Sequence, residues 1–188
     1  MTRPLKLDPD RLFPTEERAR DIARSLYKEV AGLPIISPHG HTDPTWFSTN
    51  ANWSNATELL LSPDHYLYRM LYSQGVNLAD LCVPDLAGAP GTDPRKAWRV
   101  LAENFHLFRG TPSAMWLSHV FGEVFGFDVA FDGSTADLYY DTINAKLASD
   151  AFKPRALFDR FGIEFLATTE GPQDDLSPHH AIHASRWR

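Results

Sequence analysis

Hydrophobic positions recur along most of this chain with the 3.6-residue period of an amphipathic α-helix, and recognisable start and stop residues bound each such stretch. The first helix is predicted to follow a Thr15 cap, with acidic residues at its positively polarised end, and to stop at Gly32. The second is predicted to open with Ser62 followed by a proline, and to stop at Gly75. With their cap and stop residues, the predicted helices cover 15–32, 62–75, 93–110, 111–126, 134–147 and 154–162.

Two segments, 33–37 and 163–169, instead show the short apolar run of a buried parallel strand. The intervening residues 38–162 are mostly helical and far exceed what one crossover connection needs. We therefore predict a large helical insertion between consecutive parallel strands. Because two strands do not make an independent sheet of this kind, the chain is predicted to be part of a larger α/β fold. A compact, mostly helical domain is the alternative.

Composition narrows the class of protein without changing this fold prediction. The chain has 188 residues, 43% of them hydrophobic, and a net charge of −6. It has no basic block, so nucleic acid and anionic membranes are not expected partners. The single cysteine, Cys82, excludes an internal disulfide framework and fits a reducing compartment. With neither a signal-peptide pattern nor a long apolar run in the sequence, we expect a cytoplasmic protein.

The strongest candidate chemistry is a pair of histidines, His39 and His41, directly after the first predicted strand. The residues that follow, 42–44, are predicted to form a turn. Side chains two residues apart on an extended segment point to the same face, so both imidazoles can bind one divalent ion. Active sites of barrel enzymes lie at the carboxyl ends of their strands. If the two histidines bind a metal, the segment 33–37 is the first strand of a metal-dependent barrel enzyme. A loop with two solvated histidines is the alternative, and the residues alone leave both interpretations open.

A second candidate group lies in the helix predicted after Ser62. His65 and Tyr66 fall in its first turn, where a helix N-terminus attracts anions such as a substrate carboxylate. Histidine exchanges protons near neutral pH, and tyrosine can donate to a developing oxyanion. Arg69 follows one turn after Tyr66 and would add a carboxylate clamp. The alternative is a surface histidine beside a half-buried tyrosine.

Other polar residues have simpler interpretations. His179, His180 and His183 form an i, i+1, i+4 set in which His179 and His183 would share one helical face, and a solvated face is favoured over a metal site. Three carboxylates after the second strand would either reach a barrel mouth or cap a helix near Ser177; they are Glu170, Asp174 and Asp175. The sequence contains no P-loop, GxGxxG or GxSxG motif, so nucleotide binding and serine hydrolase chemistry have no support.

Taken together, these segments resemble the uronate (glucuronate) isomerase family, an outlying branch of the amidohydrolase superfamily. The resemblance covers essentially the whole chain, and the joint occurrence and order of four pieces make it specific. The pieces are 34–43 with the HxH motif, Asp64-His65-Tyr66 with Arg69 and Gly75-Val76, the tryptophan-bearing helix 112–126, and the approach to the second strand at 154–169.

The resemblance implies the N-terminal part of a (β/α)8 TIM-type barrel with the helical insertion after strand 1. It implies an isomerase that interconverts D-glucuronate with D-fructuronate, and D-galacturonate with D-tagaturonate. It also implies a divalent metal ion, commonly zinc with manganese as the alternative, held partly by His39 and His41. The positions matching His65 and Tyr66 face the substrate, so both are predicted to be catalytic and, with Arg69, substrate-binding.

We expect one partial domain over 1–188, made of an N-terminal helix and barrel strand 1 (1–44), the helical insertion (45–162), and strand 2 with the following segment (163–188). Similar sequences have Thr-Thr-Asp-Asp-Pro after strand 2, whereas this chain has Thr-Thr-Glu-Gly-Pro at 168–172. This difference weakens the case for a functional role of the segment after strand 2.

The chain also stops before the family's third strand, with its substrate-binding arginine, and before the eighth, with an aspartate predicted to be a metal-site group and base. We therefore expect no useful isomerase activity from the chain alone. A sugar acid is the expected partner, and a homo-oligomer is left open. The alternatives are another metal-dependent hydrolase of the superfamily and a non-catalytic helical interaction module.

Overall fold

The computed structural model describes residues 2–83 and 93–187. In chain order, its elements are α1 (Glu17–Val30), β1 (Ile35–Ser37), α2 (Pro44–Thr49), α3 (Ala56–Leu60), α4 (His65–Ser73), α5 (Pro94–Glu103), α6 (Pro112–His119), α7 (Ala136–Leu147), α8 (Pro154–Arg160), β2 (Ile163–Leu166) and α9 (Ser177–Ala184). Short 3₁₀ turns lie at Leu78–Leu81, Phe105–Phe108 and Asp150–Phe152, and a π-helical turn lies at Val120–Val124.

The chain divides into two compact units. One, the helical unit, consists of Met1–Pro9 and Trp53–Ala148, and contains helices α3–α7. The other, the strand unit, consists of Asp10–Asn52 and Ser149–Arg188, and contains both strands with α1, α2, α8 and α9. In the described parts of both units, no helix is long and apolar enough to cross a membrane.

An aromatic cluster forms the core of the helical unit. Trp98 on α5 is fully buried, packs against Phe121 and Phe131, and donates its indole N–H to the Ala136 carbonyl oxygen at 3.1 Å. Tyr139 on α7 is also fully buried and donates its hydroxyl to a backbone carbonyl, and burial raises the pKa of this phenol. Each buried polar atom of the two rings therefore has a partner, as a low-dielectric core requires.

Helix starts in this unit follow local sequence signals. As predicted, Asp93 caps α5 by accepting from the Arg95 backbone N–H at 2.9 Å, and Thr111 caps α6. The prediction that Ser62 opens the helix observed as α4 is wrong. Asp64 is the cap, and its Oδ1 accepts from the backbone N–H groups of Tyr66 and Leu67 at 2.9 and 3.3 Å. Its carboxylate both accepts hydrogen bonds and suits the positive helix end.

Two more local predictions are corrected by side-chain geometry in the strand unit. Glu16, not Thr15, caps α1, because its carboxylate accepts from the backbone N–H groups of Arg18 and Ala19. The segment after His41, predicted as a turn, instead opens α2, with Asp43 as its cap and proline at its first position. An Asp-Pro pair suits a turn as well as the start of a helix, and only the residues after Pro44 decide between the two.

The two strands of the strand unit pair in parallel, as predicted, with Ile35 opposite Ile163 and Ser37 opposite Leu166. Their carboxyl ends therefore lie at the same edge. Helices α2–α8 lie between the two strands along the chain. The described structure is thus α/β, with mostly helical content and one pair of parallel strands.

Apolar side chains of the strand unit are largely exposed. On the strands, Ile36 is 61% exposed and Phe165 is 55% exposed. On α1, the predicted apolar face, which includes Ile22, Leu26 and Val30, is more than half exposed. By contrast, Phe158 on α8 is buried. A pair of parallel strands with exposed apolar side chains is unusual, because parallel sheets normally have both faces covered.

Candidate functional site

The predicted histidine pair converges after the end of β1. The Nε2 atoms of His39 and His41 lie 3.2 Å apart, with their rings inclined at 86°. The strand ends at Ser37, and the residues that follow, beginning with Pro38, are no longer paired as a strand. Both imidazoles are exposed, so a ligand can reach them from solvent.

This separation fits two ligands of one metal ion. Zinc–imidazole bonds are about 2.0–2.1 Å, so nitrogens 3.2 Å apart would subtend about 100° at the ion, close to a tetrahedral angle. The same distance also allows one imidazole N–H to donate to the other ring. Within residues 2–83 and 93–187, no group of three or more His, Cys, Asp or Glu side chains could hold a metal. His39 and His41 thus fit part of a coordination shell.

His179 has a more specific environment than the solvated face predicted for it. Its Nε2 lies 2.9 Å from Thr168 Oγ1 and 3.5 Å from Glu170 Oε1. Its Nδ1 is buried and has no hydrogen-bond partner in the described part of the chain. His180 and His183, in contrast, are exposed on α9. Sequence reasoning missed this contact because α9 must fold back onto the end of β2 to create it.

The other carboxylates after β2 serve local structure. Asp174 accepts a hydrogen bond from the Gly171 backbone N–H at 2.6 Å. Asp175 accepts from the backbone N–H and the hydroxyl of Ser177, and these hydrogen bonds lower the pKa of its carboxyl. Asp175 thus holds the first residue of α9, but the N-cap position of this helix is Leu176, and no side chain caps it. In the helical unit, burial raises the pKa of the half-buried Cys82 thiol, which disfavours a reactive thiolate.

The second candidate group forms an exposed face of α4 in the helical unit. Leu67 and Leu71 bury the opposite side of this helix, which leaves His65, Tyr66 and Arg69 exposed. The rings of His65 and Tyr66 lie 4.2 Å apart, and the Tyr66 side chain is 67% exposed. The structure thus brings an imidazole and a phenol together in the first turn of a capped helix.

A histidine pair that follows β1, a strand paired in parallel with β2, makes this chain a candidate metal-binding α/β protein. Residues 16–187 match the sequence profile of the family described as glucuronate isomerase. The chain belongs to the glucuronate isomerase family, and the resemblance found in the sequence is confirmed.

Individual relatives support the same family assignment. The chain is 65% identical over 188 residues to a uronate isomerase of Phenylobacterium zucineum (strain HLK1), covering all of this chain and 39% of that protein. It is similar to the crystal structure of glucuronate isomerase from Caulobacter crescentus, with a TM-score of 0.95 and 63% identity over 98% of this chain and 39% of that one. It is also similar to a uronate isomerase structure from Thermotoga maritima, with a TM-score of 0.81 and 25% identity over 96% of this chain and 37% of that one.

The chain spans about two-fifths of the length of these relatives. Family membership therefore applies to the residues present here, while the activity belongs to proteins more than twice as long.

Proposed function

We propose that this chain supplies the first two strands and the metal-binding histidines of a uronate isomerase. The reaction would interconvert D-glucuronate with D-fructuronate and D-galacturonate with D-tagaturonate. The observation that carries the proposal is the 3.2 Å approach of the His39 and His41 Nε2 atoms after a parallel strand, in a member of the glucuronate isomerase family. Family membership favours this reaction over the hydrolase and interaction-module alternatives.

A (β/α)8 barrel is the architecture we propose for the complete fold. Two parallel strands separated by helices are its minimal repeating pattern, and the long helical segment between these strands would be an insertion after the first. The exposed side chains of Ile36 and Phe165 support it, since barrel strands are covered on one side by other strands' side chains and on the other by helices.

The chemistry requires a proton to move between C2 and C1 of the sugar acid while charge develops on the carbonyl oxygen. A divalent ion such as zinc or manganese, held in part by His39 and His41, would polarise that oxygen when bound. Tyr66 is suited to donate a hydrogen bond to a developing oxyanion, and His65 beside it is suited to exchange a proton. Arg69 would bind the substrate carboxylate through its guanidinium.

A chimera gives the sharpest test of this function. Residues 1–188 would replace the matching first part of the Caulobacter crescentus glucuronate isomerase, which is 63% identical. Proton NMR of glucuronate and galacturonate would follow conversion to the ketoses, and a lactone would test for hydrolysis instead. We expect uronate turnover within about tenfold of the relative's own, and about 100-fold less after His39→Ala.

His183→Ala is the matched control, because this histidine is exposed on α9 and should not alter turnover. The proposal fails if the folded chimera converts lactones but not uronates, or if His39→Ala leaves turnover unchanged. Residues 1–188 assayed alone should show no turnover, because the two histidines after β1 are too few ligands to complete a catalytic metal site.

A further inference from the structure

The peptide between the two histidines is held by the end of the neighbouring strand. Thr169 Oγ1 donates a hydrogen bond of 2.7 Å to the carbonyl oxygen of Gly40, 129 positions away in the sequence. We propose that Thr169 is a positioning residue that sets the spacing of His39 and His41 for a metal ion. The inference rests on the proposed function, because it requires this pair to be a metal site.

Three further observations show how closely this loop is held. The Ala167 backbone N–H donates to the Ser37 carbonyl oxygen at 2.8 Å, which extends the pairing of β1 and β2 beyond the strands. The Ser37 hydroxyl donates to the His39 carbonyl oxygen at 3.1 Å. A Cβ on Gly40 would lie only 3.0 Å from the Ala167 carbonyl oxygen, closer than ordinary contacts allow. A side chain at this position would therefore require the Ala167 carbonyl to shift by a few tenths of an ångström.

Anchoring the Gly40 carbonyl matters because both histidines adjoin this residue. Rotation of either peptide plane at Gly40 would turn the imidazoles relative to each other and change the 3.2 Å separation of their Nε2 atoms. Each backbone dihedral that is free before binding costs conformational entropy when the metal fixes it. Groups that hold metal ligands in place in this manner typically change metal affinity by about 10–100-fold.

The neighbouring threonine supplies a matched control. Adjacent side chains on an extended segment point to opposite sides, and Thr168 Oγ1 accordingly contacts His179 Nε2 at 2.9 Å. Thr168→Val and Thr169→Val make the same chemical change one residue apart. Only Thr169→Val removes the hydrogen bond to the Gly40 carbonyl oxygen.

The experiment is a titration of residues 1–188 with Zn²⁺ by calorimetry, and with Co²⁺ by visible absorption, which reports ligand geometry. Thr169→Val should weaken Zn²⁺ binding by about tenfold and alter the Co²⁺ bands, while Thr169→Ser restores both. Thr168→Val should stay within about twofold of the parent chain. Circular dichroism would confirm that each variant is folded. Gly40→Ala tests the same loop independently, and it should also weaken binding.

Equal Zn²⁺ affinity in the parent chain and in a folded Thr169→Val or Gly40→Ala variant would overturn the inference. An equal loss from Thr168→Val would do so as well, because the effect would then belong to the strand end in general. If the parent chain binds neither ion, the proposed metal site itself fails, and this result is distinct from the other two.

Discussion

Arg155 Nε donates a hydrogen bond of 2.8 Å to the carbonyl oxygen of Phe47, across 108 positions of sequence. The same guanidinium lies 5.1 Å from the centre of the Trp187 ring, while the Arg155 backbone N–H donates to Asn50 Oδ1 at 3.1 Å. A positive charge near the last turn of α2 complements the negative end of that helix. Arg155 thus links α2, α8 and Trp187, which lies three residues after the end of α9, within the strand unit.

We expect Arg155→Ala to destabilise this chain by about 2 kcal/mol, because hydrogen bonds made by a charged donor contribute about 1.5–3 kcal/mol. Arg155→Lys should recover only part of this, since an ammonium cannot reproduce the planar guanidinium fork. Urea unfolding followed by tryptophan fluorescence would measure both, because Trp187 stacks on Phe47 at 5.4 Å. Arg18→Ala, on the exposed surface of α1, should change stability by less than about 0.5 kcal/mol.

His39→Ala and His41→Ala should each lower the Zn²⁺ affinity of the chain by about 100-fold, because a second ligand on the same scaffold binds as an intramolecular group. Calorimetry with Zn²⁺ would measure this. His106→Ala, in the helical unit, removes another exposed imidazole and should leave affinity unchanged. Full affinity in either single variant of the pair would show that the two rings do not share an ion.

Asp64→Ala should cost about 1 kcal/mol, because it removes the side chain that accepts two backbone N–H groups at the start of α4. Ser62→Ala should be neutral or stabilising, because the Ser62 hydroxyl is buried and has no partner in the described residues. Urea titrations of both variants would compare them. If Ser62→Ala lowers the stability more than Asp64→Ala does, Ser62 is the cap of α4, as the sequence predicted.

Hydrogen bonds from Arg99, and then from Arg95, hold the pKa of the Asp137 carboxyl below its usual value. The unfolded chain therefore takes up this proton more readily than the folded chain. The stabilising contribution is complete above the ordinary pKa of about 3.9 and is lost as the pH falls through the lower folded value.

Accordingly, stability should decline less steeply below about pH 4 in Asp137→Asn than in the parent chain. Urea midpoints at several pH values would measure the difference. Glu164→Gln removes an exposed carboxylate of the same charge and should retain the steep decline. If Asp137→Asn loses stability below about pH 4 as steeply as the parent chain, the Asp137 carboxyl is not the source of that loss.

Much of the local structure was predictable from the sequence because its signals lie within a few residues of one another. Asp93 and Thr111 each accept a hydrogen bond from a backbone N–H two or three positions later. Cap predictions were wrong where two candidate residues stood close together, as with Ser62 and Asp64. Propensity ranks such residues almost equally, and the direction of the incoming chain decides between them.

The sequence by itself determined the family, the helix periods, the parallel strand pair and the presence of two histidines after the first strand. Only the tertiary structure decided which groups meet: Arg155 with Phe47, Thr169 with Gly40, and His179 with Thr168. The physical reason is that a residue type fixes how many hydrogen bonds a side chain can make, whereas its partner depends on which distant segments packing brings within about 3 Å.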